Sequence, residues 1–301
     1  MAHQTPKLFF FAGKGGVGKS TFSALTALYK NNVPLSTLLV SMDPAHNQED
    51  IFQKQITSKP FLIDNHLEAI QVDMEGQIKT YLQDTEEQVR KRYRYLTAFS
   101  IKDHFKAFQF SPGIEEYAML QAFGSILNTH RHKDVIIFDM PPTALTLRFF
   151  SLPGITLSWI HELIKLREKI FDKQQIISNI RFGKKNIETD PVLNKLKKMQ
   201  SQYEGFTRLF QRSSLKIILV AKPDELSLSE SRRIQHKLQE LEFPVDTLLL
   251  NGSTRKAEID AIKRHIPAGD YIGMPLYNGS LTGLSVLKKY IHTHGERFTK
   301  L

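Results

Sequence analysis

The chain has 301 residues, 41% of them hydrophobic, enough for one large α/β domain or two smaller ones. It has no cysteine, which excludes disulfides, thiolate metal sites and iron–sulfur clusters. A formal net charge of +10 favours anionic partners: a membrane surface, nucleic acid or an acidic polypeptide.

The first element is a short, aromatic-rich run, Leu8–Ala12, which reads as a buried parallel strand. Gly13-Lys14-Gly15-Gly16-Val17-Gly18-Lys19-Ser20-Thr21 follows and fits G-x-x-x-x-G-K-[ST] at every fixed position. A helix opens near Gly18, with Leu25, Leu28 and Tyr29 at helical spacing. A glycine-rich turn can exist without a ligand, but a strand before and a helix after is the context of a phosphate loop. The glycines let the backbone curl and aim N–H groups at phosphate oxygens, and the helix adds its positive dipole end. Lys19 is then expected to reach the β- and γ-phosphates of ATP, and the Ser20 hydroxyl to ligate Mg²⁺. Lys14 is not needed for such a cradle, and on spacing alone it is equally a solvated loop lysine.

Ser36–Met42 reads as a second buried strand and delivers Asp43-Pro44-Ala45-His46-Asn47 at its carboxyl end, where open α/β sheets collect ligand-handling residues. His46 is either part of that site or a structural histidine. Leu67–Val72 is the next expected strand, and a helix is expected from Glu75 to about Ala98. The helix carries one dense basic stretch, Arg90-Lys91-Arg92 with Arg94. Another lies at Lys184-Lys185 with Lys195, Lys197 and Lys198, and a solvated helix face explains either one more simply than a binding patch.

An aromatic passage (Phe99, Phe105, Phe108, Phe110) leads to Ser111-Pro112-Gly113-Ile114-Glu115-Glu116. This segment is expected to open a helix to about His130, with Ser111 as N-cap and Pro112 at N1. Asp134–Asp139 is the clearest strand, and an apolar strand ending in Asp is the Walker B pattern, in which the carboxylate organises Mg²⁺.

Helices are expected over Leu152–Phe171, rich in Leu157, Trp159, Ile160, Leu163, Ile164 and Ile170, and over about Pro191–Phe210. Core segments follow at Leu215–Val220, Val245–Leu250 and Asp270–Leu276, with a helix to about Leu241 and a terminal helix over Gly283–His294. Asn251-Gly252 ends one of these strands. It is either a plain turn or a base-reading position, and its place after a buried strand favours the second. The two N-x-S sequons, at Asn251 and Asn278, are read as accidental. No run is long and apolar enough to span a bilayer and the first residues lack a signal-peptide profile, so a soluble, cytoplasmic protein is expected.

Together these motifs resemble the ArsA and tail-anchored-protein targeting ATPases, within the MinD/ParA-like superfamily that carries a "deviant" phosphate loop. The resemblance runs from Lys7 to about Tyr290. It rests on Gly-Lys-Gly-Gly-Val-Gly-Lys-Ser-Thr, on Asp-Pro-Ala-His-Asn as switch I, on Pro-Gly-Ile-Glu-Glu, and on Thr146-Leu147-Arg148 in a switch II beginning at Met140. It implies a homodimer in which Lys14 crosses to the partner's nucleotide. It also implies that Asp43 orients the attacking water, Asp139 organises Mg²⁺ and Asn251 contacts adenine. A helical subdomain, inserted at about 75–130 and 151–212 of a single ATPase domain, would form a groove for a hydrophobic transmembrane segment, though its apolar residues can equally be core.

Two departures stand out. Ala144-Leu145 replace the Gly-His usual in switch II, and the cysteines that share zinc or bind arsenite in relatives are absent, so zinc and thiol capture do not carry over. The reading is therefore an α/β protein with a mostly parallel sheet and an inserted helical subdomain. It would be an ATP- and Mg²⁺-dependent switch that binds or delivers tail-anchored segments, with contact to a membrane surface or receptor and none expected with nucleic acid. The alternatives are an ATPase energising a membrane anion transporter and a MinD/ParA-like positioning ATPase.

Overall fold

Three consecutive phenylalanines set the layering. In β1 (Lys7–Ala12), alternate residues face opposite sides of the sheet, yet Phe9, Phe10 and Phe11 are all buried, so both faces must be covered. Phe9 and Phe11 join Phe22, Leu25 and Leu28 of α1 (Lys19–Asn31) in one core layer. Phe10 turns the other way, stacked 4.8 Å from Phe138 and 5.8 Å from Phe123, and Phe123 meets Phe149 edge-on at 5.5 Å. Such offset and edge contacts suit the quadrupoles of the rings.

The computed structural model describes residues 5–31, 35–45, 47–92, 111, 113–182, 190–212 and 214–301. The chain continues through β2 (Thr37–Ser41), α2 (Asn47–Phe52), β3 (Phe61–Asp64), β4 (Leu67–Gln71), α3 (Met74–Arg92) and α4 (Ile114–Thr129). Next come β5 (Val135–Asp139), α5 (Thr143–Phe182), α6 (Pro191–Phe210), β6 (Leu215–Ala221) and α7 (Glu225–Glu240). β7 (Thr247–Asn251), α8 (Lys256–Lys263), β8 (Asp270–Met274), α9 (Leu284–His294) and a 3₁₀ turn (Gly295–Lys300) complete it.

Among the described residues eight strands form one sheet in the order β3-β4-β2-β5-β1-β6-β7-β8, parallel except for the antiparallel β3–β4 pair. The chain begins in the middle, builds outward on one side, returns through β5, and then builds outward on the other side from β6. That reversal beside β1 makes its carboxyl end a topological switch point, where the crevice for a ligand opens.

Two compact units emerge, Met1–Phe149 with Ser213–Leu301, and Phe150–Arg212. In the second unit, Asp190 caps α6 by accepting from Val192 N at 2.9 Å and Leu193 N at 3.2 Å, and takes a third bond from Arg167 Nε at 2.7 Å. The Arg167 side chain leads the pull that holds the Asp190 carboxyl below its usual range. Phe150 meets Phe210 at 5.5 Å, and Tyr203 and Phe206 are buried.

Several expectations shift. The helix expected from Ser111 starts at Ile114, because Gly113 takes a left-handed φ of +87° just before it; Ser111 contributes a carbonyl to Ile114 N and no cap. The helix expected from Leu152 already begins at Thr143 and runs through Pro153, which removes a single ladder hydrogen bond. β3, α2 and α8 are additional elements, and their four to eight residues give too little periodicity to announce them. His46, Arg94, the Phe99–Phe110 passage, Pro112, Lys184, Lys185 and the helix end near Ala98 lie outside the described residues.

Candidate functional site

Strand register brings the expected residues to one end of the sheet. Phe11 of β1 and Ser41 of β2 both pair with Asp139 of β5, so the loop after β1, Asp43 after β2 and Asp139 itself lie side by side. On the other flank of β1 come β6 and then β7, whose last residue is Asn251.

The loop needs its glycines for reasons visible in the backbone. Gly13 has φ +145°, and a Cβ there would lie 2.4 Å from the Val220 carbonyl oxygen of β6. Gly18 has φ +103°, and its Cβ would lie 2.9 Å from Asn251 Nδ2. At Gly15 and Gly16 a Cβ meets nothing within 4 Å, so open space lies against the loop there, as a phosphate cradle requires. Val17 is buried, and its carbonyl accepts from Asn251 Nδ2 at 2.8 Å. Asn251 thus ties β7 to the loop. Thr21 continues α1 behind Ser20.

Lys19 is 5% exposed, and its Nζ donates to the Lys14 carbonyl at 3.2 Å. Burial lowers the ammonium's pKa, while Asp139, Asp43 and Glu230 pull it back up. The Lys14 ammonium lies 3.9 Å from Glu230 of α7, and Glu230 also accepts from the Thr143 hydroxyl at 2.8 Å. One carboxylate therefore faces both the extra loop lysine and the first residue of α5.

Asp43 is 6% exposed; its Oδ1 accepts from Ala45 N at 3.0 Å, which fixes the turn after β2. Its carbonyl accepts from the buried Gln71 amide at 3.0 Å. Asp139 is fully buried, and burial pushes its carboxyl up to about 6 against hydrogen bonds from Ser20 and Gln48 and the Lys19 charge. Among the described residues its Oδ1 has no hydrogen-bond partner. A buried, unpartnered carboxylate oxygen beside a serine hydroxyl is a set of hard oxygen donors, and it fits Mg²⁺.

Two features escaped the sequence. Gln48 of α2, one residue beyond the Asp-Pro-Ala-His-Asn motif, donates to Asp139 Oδ2 at 2.8 Å. Glu116, from the Pro-Gly-Ile-Glu-Glu segment, accepts from Arg148 of the Thr-Leu-Arg segment at 2.9 Å, so two motifs read separately meet. No periodicity announces either contact. A cavity of about 390 Å³ lies at the opposite, amino-terminal edge of the strands, between Lys7, Lys30 and Lys216, and holds none of the expected residues.

The model of the anion-transporting ATPase family, ArsA_ATPase, matches residues 6–265. The chain is 26% identical over 246 residues to the putative arsenical pump-driving ATPase 2 of Aquifex aeolicus, covering 81% of this chain and 79% of that one. It is 30% identical over 255 residues to an ATPase ASNA1 homolog of Entamoeba dispar, covering 82% and 76%. Against ATPase ARSA1 of Chlamydomonas reinhardtii it is 29% identical over 266 residues, covering 81% of this chain but only 34% of that longer protein. A strand–glycine loop–helix site on a mostly parallel sheet defines the class, and the match is specific to one branch of it. The chain belongs to the anion-transporting ATPase (ArsA) family, and it is an ATPase.

Proposed function

We propose that this ATPase works as a nucleotide-switched homodimer that binds or delivers hydrophobic, tail-anchored membrane-protein segments in the cytoplasm. One observation carries the proposal. Along α5, Ile155, Trp159, Leu163, Leu166 and Ile170 are 54%, 67%, 43%, 56% and 37% exposed. At 3.6 residues per turn the five fall within about 80° of arc, a continuous apolar stripe facing solvent. Ile160 and Ile164, one position on from Trp159 and Leu163, are buried and account for the core of the same helix. A stripe of this kind marks a surface for an apolar partner, and a helical segment laid along it is the matching occupant. Among the described residues no helix is itself long and apolar enough to cross a membrane.

The nucleotide half of the reading uses the loop. Gly13, Gly15, Gly16 and Gly18 present amides to the phosphates, and the Lys19 charge meets the β- and γ-oxygens. Ser20 and Asp139 would hold Mg²⁺, which would supply charge neutralisation to the phosphates when bound. Asp43 orients water for in-line attack, Asn251 meets adenine, and Lys14 serves the partner's nucleotide once Glu230 lets it go. The helical subdomain, at about 75–130 and 151–212, is taken as part of the same ATPase domain, and its second segment carries the client stripe. α5 starts in the switch region, and its own helix continues into the stripe.

The test is capture. Protein carrying Asp43→Asn, loaded with ATP, is expected to retain an added transmembrane-helix peptide from a tail-anchored protein, and to release it with ADP. Equal retention with both nucleotides, or none, contradicts the proposal. A pump-driving role, the activity in the printed name of the Aquifex relative, would instead appear as ATPase stimulation by an anion. With no cysteine, arsenite is not expected to stimulate through thiolates.

A further inference from the structure

Gln48 is the second residue of α2 and is 1% exposed. Its Nε2 lies 2.8 Å from Asp139 Oδ2, 3.1 Å from the Ser20 carbonyl oxygen and 3.0 Å from Ser23 Oγ. A carbonyl and a carboxylate only accept, so chemistry fixes the amide nitrogen as the atom facing them. Ser23 Oγ donates to the Ser20 carbonyl at 2.9 Å, which leaves its lone pairs to Gln48. Two amide hydrogens thus serve three acceptors, two on α1 and one on β5.

The other end of the amide is unsatisfied. Among the described residues Gln48 Oε1 is buried without a hydrogen-bond partner, and so is Asp139 Oδ1. A buried amide with an orphaned oxygen is a poor choice for filling space, because methionine or leucine would fill it with no polar group to desolvate. What glutamine adds here is its donor side, directed at the Ser20 main chain and the Asp139 carboxylate together.

We propose that Gln48 is a positioning residue of the divalent-cation site: its amide joins Ser20 and the Asp139 carboxylate in one frame and leaves Asp139 Oδ1 as the unclaimed acceptor. This deepens, and rests on, the Mg²⁺–ATP reading above. Because Gln48 sits on α2, in the segment that follows Asp43, displacing that segment also removes the donor from Asp139. The geometry of the cation site and the position of the Asp43 segment are then set together.

The experiment compares wild type with Gln48→Met and Gln48→Asn. Affinity for a fluorescent methylanthraniloyl-ATP is measured with Mg²⁺ and with EDTA, alongside the Mg²⁺ concentration giving half-maximal ATPase. Removing a donor to a charged, buried carboxylate is expected to cut the Mg²⁺-dependent gain in affinity about tenfold. The Mg²⁺ requirement should rise by a similar factor, while affinity in EDTA stays within about twofold. Gln48→Asn keeps an amide but is one methylene too short to reach both Ser20 and Asp139, so it is expected to lose the same gain; it serves if the methionine variant fails to fold. Wild-type Mg²⁺ dependence in a folded variant, with only a lower melting temperature, overturns the assignment and makes Gln48 a packing residue. If wild type itself shows no Mg²⁺-dependent nucleotide binding, the nucleotide reading has failed and the inference falls with it.

Discussion

The sheet unit and the unit at 150–212 treat their apolar and polar groups in opposite ways. At the carboxyl end of the sheet, polar side chains are buried or half-buried and engaged: Lys19 with the loop carbonyl, Gln48 with Asp139, and the half-buried Asn251 with Val17. In the other unit, large apolar side chains stay in water along one helix, with Trp159 67% exposed. Buried polar groups convert small changes of charge into free energy, because the local dielectric is low. Exposed apolar side chains gain free energy only when something covers them. On the proposed function, the first region responds to a charged ligand and the second is covered by an apolar one.

The largest expected effects break the first half of this contrast. Lys19→Ala removes the buried ammonium that faces Asp139 and Asp43, and ATP affinity should fall by about a hundredfold or more in calorimetry. Asp43→Asn keeps the shape of the turn but, on the role proposed for Asp43, weakens the orientation of water. ATP binding should persist while phosphate release falls by about 10²–10³ in a steady-state assay. Undiminished turnover would remove Asp43 from the mechanism.

Acid pH tests Asp139 next. Burial raises its carboxyl from an ordinary 3.8 to about 6, so below pH 6 the folded chain holds a proton that the unfolded chain does not yet bind. Lowering pH from 6 towards 4 therefore makes this group's contribution to stability more favourable, and raising pH through 6 removes that contribution. The proposed role in Mg²⁺ binding moves the other way, since that role needs the ionised form. The Mg²⁺ requirement for ATPase should climb about tenfold per pH unit below 6. A flat requirement down to pH 5 would mean that the carboxylate takes no part.

A smaller effect is expected on the second half. Trp159→Ser combined with Leu163→Ser should weaken capture of a transmembrane-helix peptide about tenfold, from lost apolar area. Basal ATPase should stay within about twofold of wild type, because neither side chain belongs to the loop, Asp43 or Asp139. Equal loss of both activities would contradict the division of labour. The smallest effect sharpens the boundary. Arg167→Ala removes the bond from Arg167 Nε to the cap residue Asp190 and should lower the onset of thermal unfolding, with ATP affinity unchanged.

The sequence carried the sheet end well because its signals are local. Gly13 to Thr21, Asp43 and Asp139 each sit at the end of an apolar run, and a strand end is where such residues converge. Contacts between distant segments had no such signal. Gln48 with Asp139, Glu116 with Arg148 and Glu230 with Thr143 depend on how elements pack, and each residue alone reads as an ordinary polar surface position. The apolar helix was legible as apolar but not as two-sided. Trp159 and Ile160 are adjacent and equally hydrophobic, and only packing separates the exposed one from the buried one. Helix starts failed where glycine or proline acted against habit, as at Gly113 and Pro153.

The most direct measurement is a calorimetric titration of folded protein with ATP in the presence of Mg²⁺, repeated with Lys19→Ala. The account predicts saturable, stoichiometric uptake by the wild type that the substitution abolishes. Folded wild-type protein that takes up no adenine nucleotide, or a Lys19→Ala variant that binds as tightly, would contradict it.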